Sequence, residues 1–246
     1  MPWSSLFQLT RPDPIPDPGL PRRLLRHLFL PEKLGLGGRL LDIGCGAGEL
    51  TQFCNLLGVE TVGLDERADR VTAARRAAPQ LDFFHVKLDQ PLPVLDQTFD
   101  IVLVRDLAVH RLSLRSADAL AATANLLATV RPGGQLVLLA RADHDGGTTD
   151  DWHAPNCLAR HLGTFPGSNR VVDLYDWPMP FAAITWMLGR HVRPGFRIAT
   201  LTTPREAISR RQWLDFATAA GQPATSTCCP WFASQRGDTG IQRHAA

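Results

Sequence analysis

Residues 40–50, LLDIGCGAGEL, limit the fold more tightly than any other stretch of this chain. An apolar run reaches Asp42. Glycines then stand at positions 44, 46 and 48, and apolar residues resume at once with helical spacing. A strand that turns straight into a helix through three glycines needs backbone angles that side chains disfavour, or a close approach to another group. In an open parallel sheet, ligands bind beyond the carboxyl ends of the strands, where the strand order reverses, and the first such turn lies there. Gly44 and Gly46 are therefore expected to pass against a ligand. Gly48 is expected to open a helix whose free N–H groups face the same place.

The rest of the chain supplies the matching rhythm. Short apolar runs occupy 39–43, 60–64, 81–86, 100–104 and 135–140, with helical patterns at 49–57, 68–77 and 116–130 between them. Strand and helix in alternation with short connections predict right-handed crossovers and a doubly wound, mostly parallel α/β sheet. RPGG at 131–134 is read as the stop of the third helix and the start of the fifth strand. Residues 1–19 form a Pro-rich arm. An amphipathic helix is expected from 20, with Leu24, Leu25, Leu28 and Phe29 opposite Arg22, Arg23 and Arg26, broken near Pro31. After residue 141 the rhythm changes. Segment 142–203 holds Trp152, Tyr175, Trp177 and Trp186 and reads as a capping insertion within one domain spanning 1–246, not as another βα repeat. A helix is expected over 205–220 with Gly221 as its C-cap, and a late strand over 224–233.

The glycine spacing separates two kinds of nucleotide site. The dinucleotide fingerprint is G-x-G-x-x-G, whereas this chain has G-x-G-x-G, preceded by the carboxylate of Asp42. A carboxylate there suits an amine-bearing ligand and suits a pyrophosphate poorly. The second strand ends in Asp65, 21 residues past Gly44, where a carboxylate can accept both hydroxyls of a ribose.

With these residues in view, the chain resembles the class I S-adenosylmethionine-dependent methyltransferases. LLDIGCGAG resembles their glycine loop and VGLD their ribose-binding acidic position. LDQPLPVLDQTFDIVLVRD is similar to their third-strand exit and fourth strand, and LATVRPGGQLVLLAR to their fifth-strand turn. The resemblance covers about residues 24–141, more loosely 205–232, and implies a Rossmann-like sheet with S-adenosylmethionine as cofactor. It implies that Gly44, Gly46 and Gly48 line the methionine part and that Asp42 faces its amino group, directly or through water. Asp65 would bind the ribose with Glu66 beside it, and Asp89 would reach the adenine amine, helped by backbone at Leu88. Arg105 would sit beside the methionine moiety. Lys87-Leu88-Asp89 departs from the family's usual Gly-Asp at the third-strand exit. Arg105 and Asp106 read as a simple ion pair or helix cap.

Methyl transfer from a sulfonium is an in-line displacement that rests on proximity and orientation. A general base is needed only where the acceptor must lose a proton. His110 and His144, which follow the fourth and fifth strands, are the candidate catalytic bases, with His153 nearby. Each also reads as a packing or loop residue. No Asn/Asp-Pro-Pro-Tyr run follows the fourth strand and no double-glutamate hairpin is seen. The formal charge of +2 without a basic run argues against nucleic acid. The expected acceptor is a small or lipid-like molecule. The aromatic residues of the insertion, with Phe181, wall its pocket or merely pack the cap.

His153, Cys157 and His161 share one helical face, but Pro155 and the axial spread of the three favour packing over a metal site. Cys228 and Cys229 read as small core residues. The five cysteines, the absence of a signal-like start and the lack of an apolar run of about 18 residues predict a cytoplasmic protein without a membrane span. A non-catalytic regulatory or scaffold protein on the same fold is the competing reading.

Overall fold

The computed structural model describes residues 37–86, 98–105, 114–141, 155–174 and 196–221. Its elements, in chain order, are β1 (Arg39–Ile43), α1 (Glu49–Leu56), β2 (Glu60–Asp65), α2 (Ala68–Ala77), β3 (Asp82–His85), β4 (Phe99–Arg105), α3 (Ala117–Leu127), β5 (Val130–Arg141), α4 (Pro155–Leu162), β6 (Ser168–Leu174), β7 (Phe196–Thr202) and α5 (Arg210–Gly221). The seven strands form one sheet in the order β3-β2-β1-β4-β5-β7-β6. The first five are parallel, and β7 runs antiparallel to both β5 and β6. The expected mostly parallel α/β sheet is what the chain forms.

Burial on both faces explains the near-continuous apolar strands. Leu41, Ile43, Val62, Leu64, Val102 and Val104 belong to one core. Trp213 and Ala217 of α5 and Leu120 and Leu127 of α3 join that core. Alternate residues Leu40, Ile101, Leu103, Val137 and Leu139 point to the other face, where Leu50 and Cys54 of α1 meet them. Around Phe83, a third cluster seats Val71 and Ala74 of α2.

Two expectations are revised. RPGG does not lie ahead of β5. The strand begins at Val130 opposite Phe99, and pairing resumes only at Gln135 opposite Ile101, so the four residues bulge out of the ladder. Thr203 holds the bulge, its hydroxyl donating to the Arg131 carbonyl at 2.9 Å. The described parts of segment 142–203 do more than cover a face, where Leu158 and Leu162 join the core. They form α4 and the two strands that complete the sheet, because β7 pairs along β5 from Phe196 to Thr202. The aromatic content of this segment drew attention away from β-forming runs such as RVV and FRIATL.

The last helix starts at Arg210, five residues later than expected. Ser209 and Gln212 form a capping box, with the Gln212 side chain accepting from Ser209 N at 2.8 Å and the Ser209 hydroxyl accepting from Gln212 N at 3.3 Å. The expected first helix (from 20), the late strand and Cys228–Cys229 lie outside the described residues. Among those described, no helix is long and apolar enough to cross a membrane.

His161 ties α4 to α3. It is 4% exposed, and Nδ1 donates to the Leu114 carbonyl at 2.7 Å. Thr123 Oγ1 lies 2.8 Å from Nε2 and also 2.9 Å from the Ala119 carbonyl. With one hydroxyl proton, Thr123 serves the neutral imidazole, whose Nε2 needs a donor. Burial lowers the His161 pKa to about 4, against a partly opposing hydrogen bond to Leu114. The neutral ring is thus favoured in the fold, and its full contribution is present above the unfolded value of about 6.5. That contribution is lost as pH falls from there through about 4. Relative to His161→Gln, the wild type should lose on the order of 3 kcal/mol in urea unfolding between about pH 7 and pH 4. Equal losses in both proteins would show that His161 does not carry the effect.

Candidate functional site

The carboxyl ends of β2, β1 and β4 finish level with one another. Ile43 pairs with Leu64 on one side and with Val104 on the other. Asp65 and Arg105 therefore flank the turn that begins at Gly44. The chain leaves β3 at one edge and re-enters as β4 beyond β1, so this turn sits at the reversal of strand order.

Beneath the turn lies a buried charge pair. Arg105 donates from Nε to Asp42 Oδ1 at 3.0 Å and from Nη2 to Oδ2 at 2.8 Å. Thr51 of α1 adds its hydroxyl to Oδ2 at 2.7 Å. Asp42 is wholly buried, whereas the Arg105 side chain keeps 20% exposure. Burial works against the guanidinium charge, but Asp42 outweighs it and leaves the Arg105 pKa above its ordinary value. Three protein donors thus meet the two oxygens of Asp42, the residue that the sequence places near the ligand's amino group, directly or through water. Arg105 pairs with Asp42, 63 residues away; its neighbour Asp106 lies outside the described residues.

Asp65 joins the second strand to the loop. Its Oδ2 accepts from Gly46 N at 2.8 Å and its Oδ1 from Arg67 N at 2.8 Å. The Leu64 carbonyl accepts from Gly44 N at 2.8 Å and Cys45 N at 3.0 Å. Glu66 is exposed beside this pair.

The glycines divide by what surrounds them. All three have positive φ. A Cβ at Gly44 would stand 2.2 Å from the Arg105 carbonyl oxygen, and one at Gly48 would stand 2.8 Å from the Phe83 ring. At Gly46, φ +60°, no described residue lies within 4 Å of such a Cβ. Two glycines thus pack against the protein itself, and among the described residues nothing crowds Gly46.

The two described thiols near the turn are not nucleophiles. Burial, then Asp42 and Asp65, raises the Cys45 pKa well above the usual thiol range. Burial and Asp42 push Cys54 up to about 12. Both His161 nitrogens are engaged by Leu114 and Thr123, so it does not combine with Cys157 as a metal ligand. Leu88, Asp89, His110, His144, His153, Phe181 and the insertion aromatics lie outside the described residues. Thr51 was not foreseen. Its signal is its place in ELTQFC, where Leu50, Thr51 and Cys54 form the buried stripe of α1. A separate open depression of about 460 Å³, lined in part by Gly133, Thr202 and Thr203, lies at the amino end of β5, away from this turn.

Residues 40–134 match the family model described as a methyltransferase domain. Over this stretch the chain is similar to S-adenosylmethionine-dependent methyltransferases. The methyltransferase domain is 33% identical over 107 residues to a ubiquinone biosynthesis O-methyltransferase of Bradyrhizobium sp. (strain ORS 278), covering 42% of this chain and 39% of that protein. It is 36% identical over 132 residues to a ribosomal protein methyltransferase of Ralstonia pickettii, covering 50% and 41%. The chain thus spans about two fifths of the length of these curated relatives. An S-adenosylmethionine-dependent methyltransferase from Mesorhizobium loti shares the fold, with a TM-score of 0.53 at 21% identity over 73% of this chain and 96% of that one.

The unequal glycines of the methyltransferase domain give a stability contrast. Gly44→Ala adds a clash with β4 to the cost of a left-handed residue, and should destabilise by about 3 kcal/mol or more. Gly46→Ala bears the backbone cost alone, about 1 kcal/mol. Urea unfolding of the two variants measures the difference. Equal losses would refute the division.

Proposed function

We propose that this chain binds S-adenosylmethionine across the carboxyl ends of β2, β1 and β4 and transfers its methyl group to a small-molecule acceptor. The observation that carries the reading is the hydrogen bond from Gly46 N to Asp65. It holds Gly46, which no described residue crowds, against the carboxylate at the end of β2. Each Asp65 oxygen accepts one backbone N–H and keeps a lone pair, which suits two ribose hydroxyls. Gly46 suits close passage of the methionine portion, with Glu66 at the ribose edge. Leu88 and Asp89 are assigned to the adenine.

The bound cofactor supplies an electrophilic methyl group. The protein's part is to align it with the acceptor and to exclude water. Where the acceptor atom carries a proton, His110 and His144 are the candidate bases. The ubiquinone-biosynthesis relatives favour an oxygen on an apolar, quinone-like molecule. The ribosomal protein relative supports a protein acceptor as a second reading. The free thiols of Cys45, Cys54 and Cys157 suit a reducing, cytoplasmic setting.

Calorimetric titration with S-adenosylmethionine and S-adenosylhomocysteine tests the pocket. Wild type should bind both, and Asp65→Ala should weaken each by about tenfold or more, the loss of charge-assisted hydrogen bonds. Undiminished affinity in the variant would overturn the ribose assignment. Radiolabelled methyl transfer into a metabolite extract tests the activity. Label in small molecules supports the first reading and label in protein the second. Binding without any transfer favours the non-catalytic alternative.

A further inference from the structure

We propose that segment 20–30 docks as a helix along the outer side of α1, on an apolar stripe made by Phe53, Leu56 and Leu57. The proposal goes beyond the cofactor reading and does not depend on it.

α1 is apolar on two sides. Leu50, Thr51 and Cys54 form its buried side, and Leu50 and Cys54 join the core on one face of the sheet. Phe53, Leu56 and the capping residue Leu57 stand at i, i+3 and i+4, so they share a second side. Phe53 is half-buried, Leu56 is 83% exposed and Leu57 is 43% exposed. None of the three belongs to a core cluster of the described residues. A single exposed leucine is ordinary on a protein surface. An apolar stripe at helical spacing, on a helix that already buries another side, marks a helix with a second partner.

Chain connectivity names that partner. Gly37, the first described residue, donates from N to the Gly58 carbonyl at 3.0 Å, and Glu60 N donates to the Gly38 carbonyl at 2.9 Å. The N-terminal part of the chain therefore arrives one residue from Leu57. Residues 31–36 link segment 20–30 to Gly37. Fully extended they span about 20 Å, whereas the eight residues of α1 run about 12 Å. Segment 20–30 can thus lie along the whole stripe. Its sequence carries the matching surface, with Leu24, Leu25, Leu28 and Phe29 opposite Arg22, Arg23 and Arg26. Docking would bury the leucines and leave the arginines in water, with Glu49, exposed in the first turn of α1, as a counter-charge.

The other stretches outside the described residues start elsewhere. Those after β3, β4, β5 and β6 leave from the carboxyl side of the sheet, whereas Gly58 lies at the amino end of β2. The stretch after 221 continues α5, which packs on the opposite core.

Trypsin cleavage of the native full chain after Arg22 and Arg26, followed by mass spectrometry, reads the docking. Its rate tracks the fraction of chains with the segment undocked. Leu56→Gln combined with Leu57→Gln should raise that rate by about tenfold or more, the effect of leaving leucine surface in water. Glutamine keeps the helix propensity of leucine, and circular dichroism checks that the domain stays folded. Leu25→Gln combined with Leu28→Gln should give the same rise, and it keeps the test open should the α1 pair fail to fold. All four substitutions together should add nothing further, because either pair alone breaks the one contact. Wild type cut as fast as the variants, or rises that multiply when the pairs are combined, would overturn the proposal. Analytical ultracentrifugation checks the remaining occupant. A wild-type dimer that the α1 pair splits into monomers would assign the stripe to a second copy of the chain, and would overturn it too.

Discussion

The buried pair of Asp42 and Arg105 holds together the part of this molecule on which everything else at the site depends. It joins the carboxyl ends of β1 and β4 across the reversal of strand order, and Thr51 extends it into α1. Two charges taken out of water are costly, and their attraction offsets that cost only with good geometry and full hydrogen bonding. Both conditions are met on the Asp42 side. Arg105 keeps 20% side-chain exposure while Asp42 has none. Removing one partner of such a pair typically costs about 3–5 kcal/mol, because the survivor is left buried and uncompensated.

The glycine loop is shaped by its neighbours as much as by any ligand. β4 crowds Gly44 and Phe83 crowds Gly48, so those positions would demand glycine in an apo scaffold as well. The Phe83 backbone is also held, since Arg75 donates to its carbonyl from Nε at 2.9 Å. Among the described residues nothing crowds Gly46, and Asp65 holds that residue in place. The loop therefore combines two requirements in five residues. Close packing of strand, helix and strand makes it rigid, and one uncrowded position makes it receptive.

Much of this was legible along the chain because its signals are local. Apolar runs of five or six residues separated by helical periodicity could form only a parallel sheet, and Asp65 at the end of VGLD announced its position by spacing alone. Signals that failed depended on partners distant in sequence. The RPGG bulge is set by Thr203 and Pro204, whose contacts with Arg131, Gly133 and Gly134 exist only once β7 is laid beside β5. α5 begins at its capping box, Ser209 and Gln212, and the apolar Ile208, which lengthens the helical pattern upstream, stays outside it.

The sequence by itself determined the strand–helix alternation, the place of the ligand turn and the acidic residue at the end of β2, because backbone propensity and periodicity act over a few neighbours. Tertiary structure alone decided which charges meet. Arg105 is a single cation at the end of an apolar run, and nothing nearby in the chain marks Asp42 as its partner. The two come together because β1 and β4, far apart in sequence, lie side by side with their carboxyl ends aligned. That pairing ties Asp42 to a cation 63 residues away, a contact no local signal in the chain could specify.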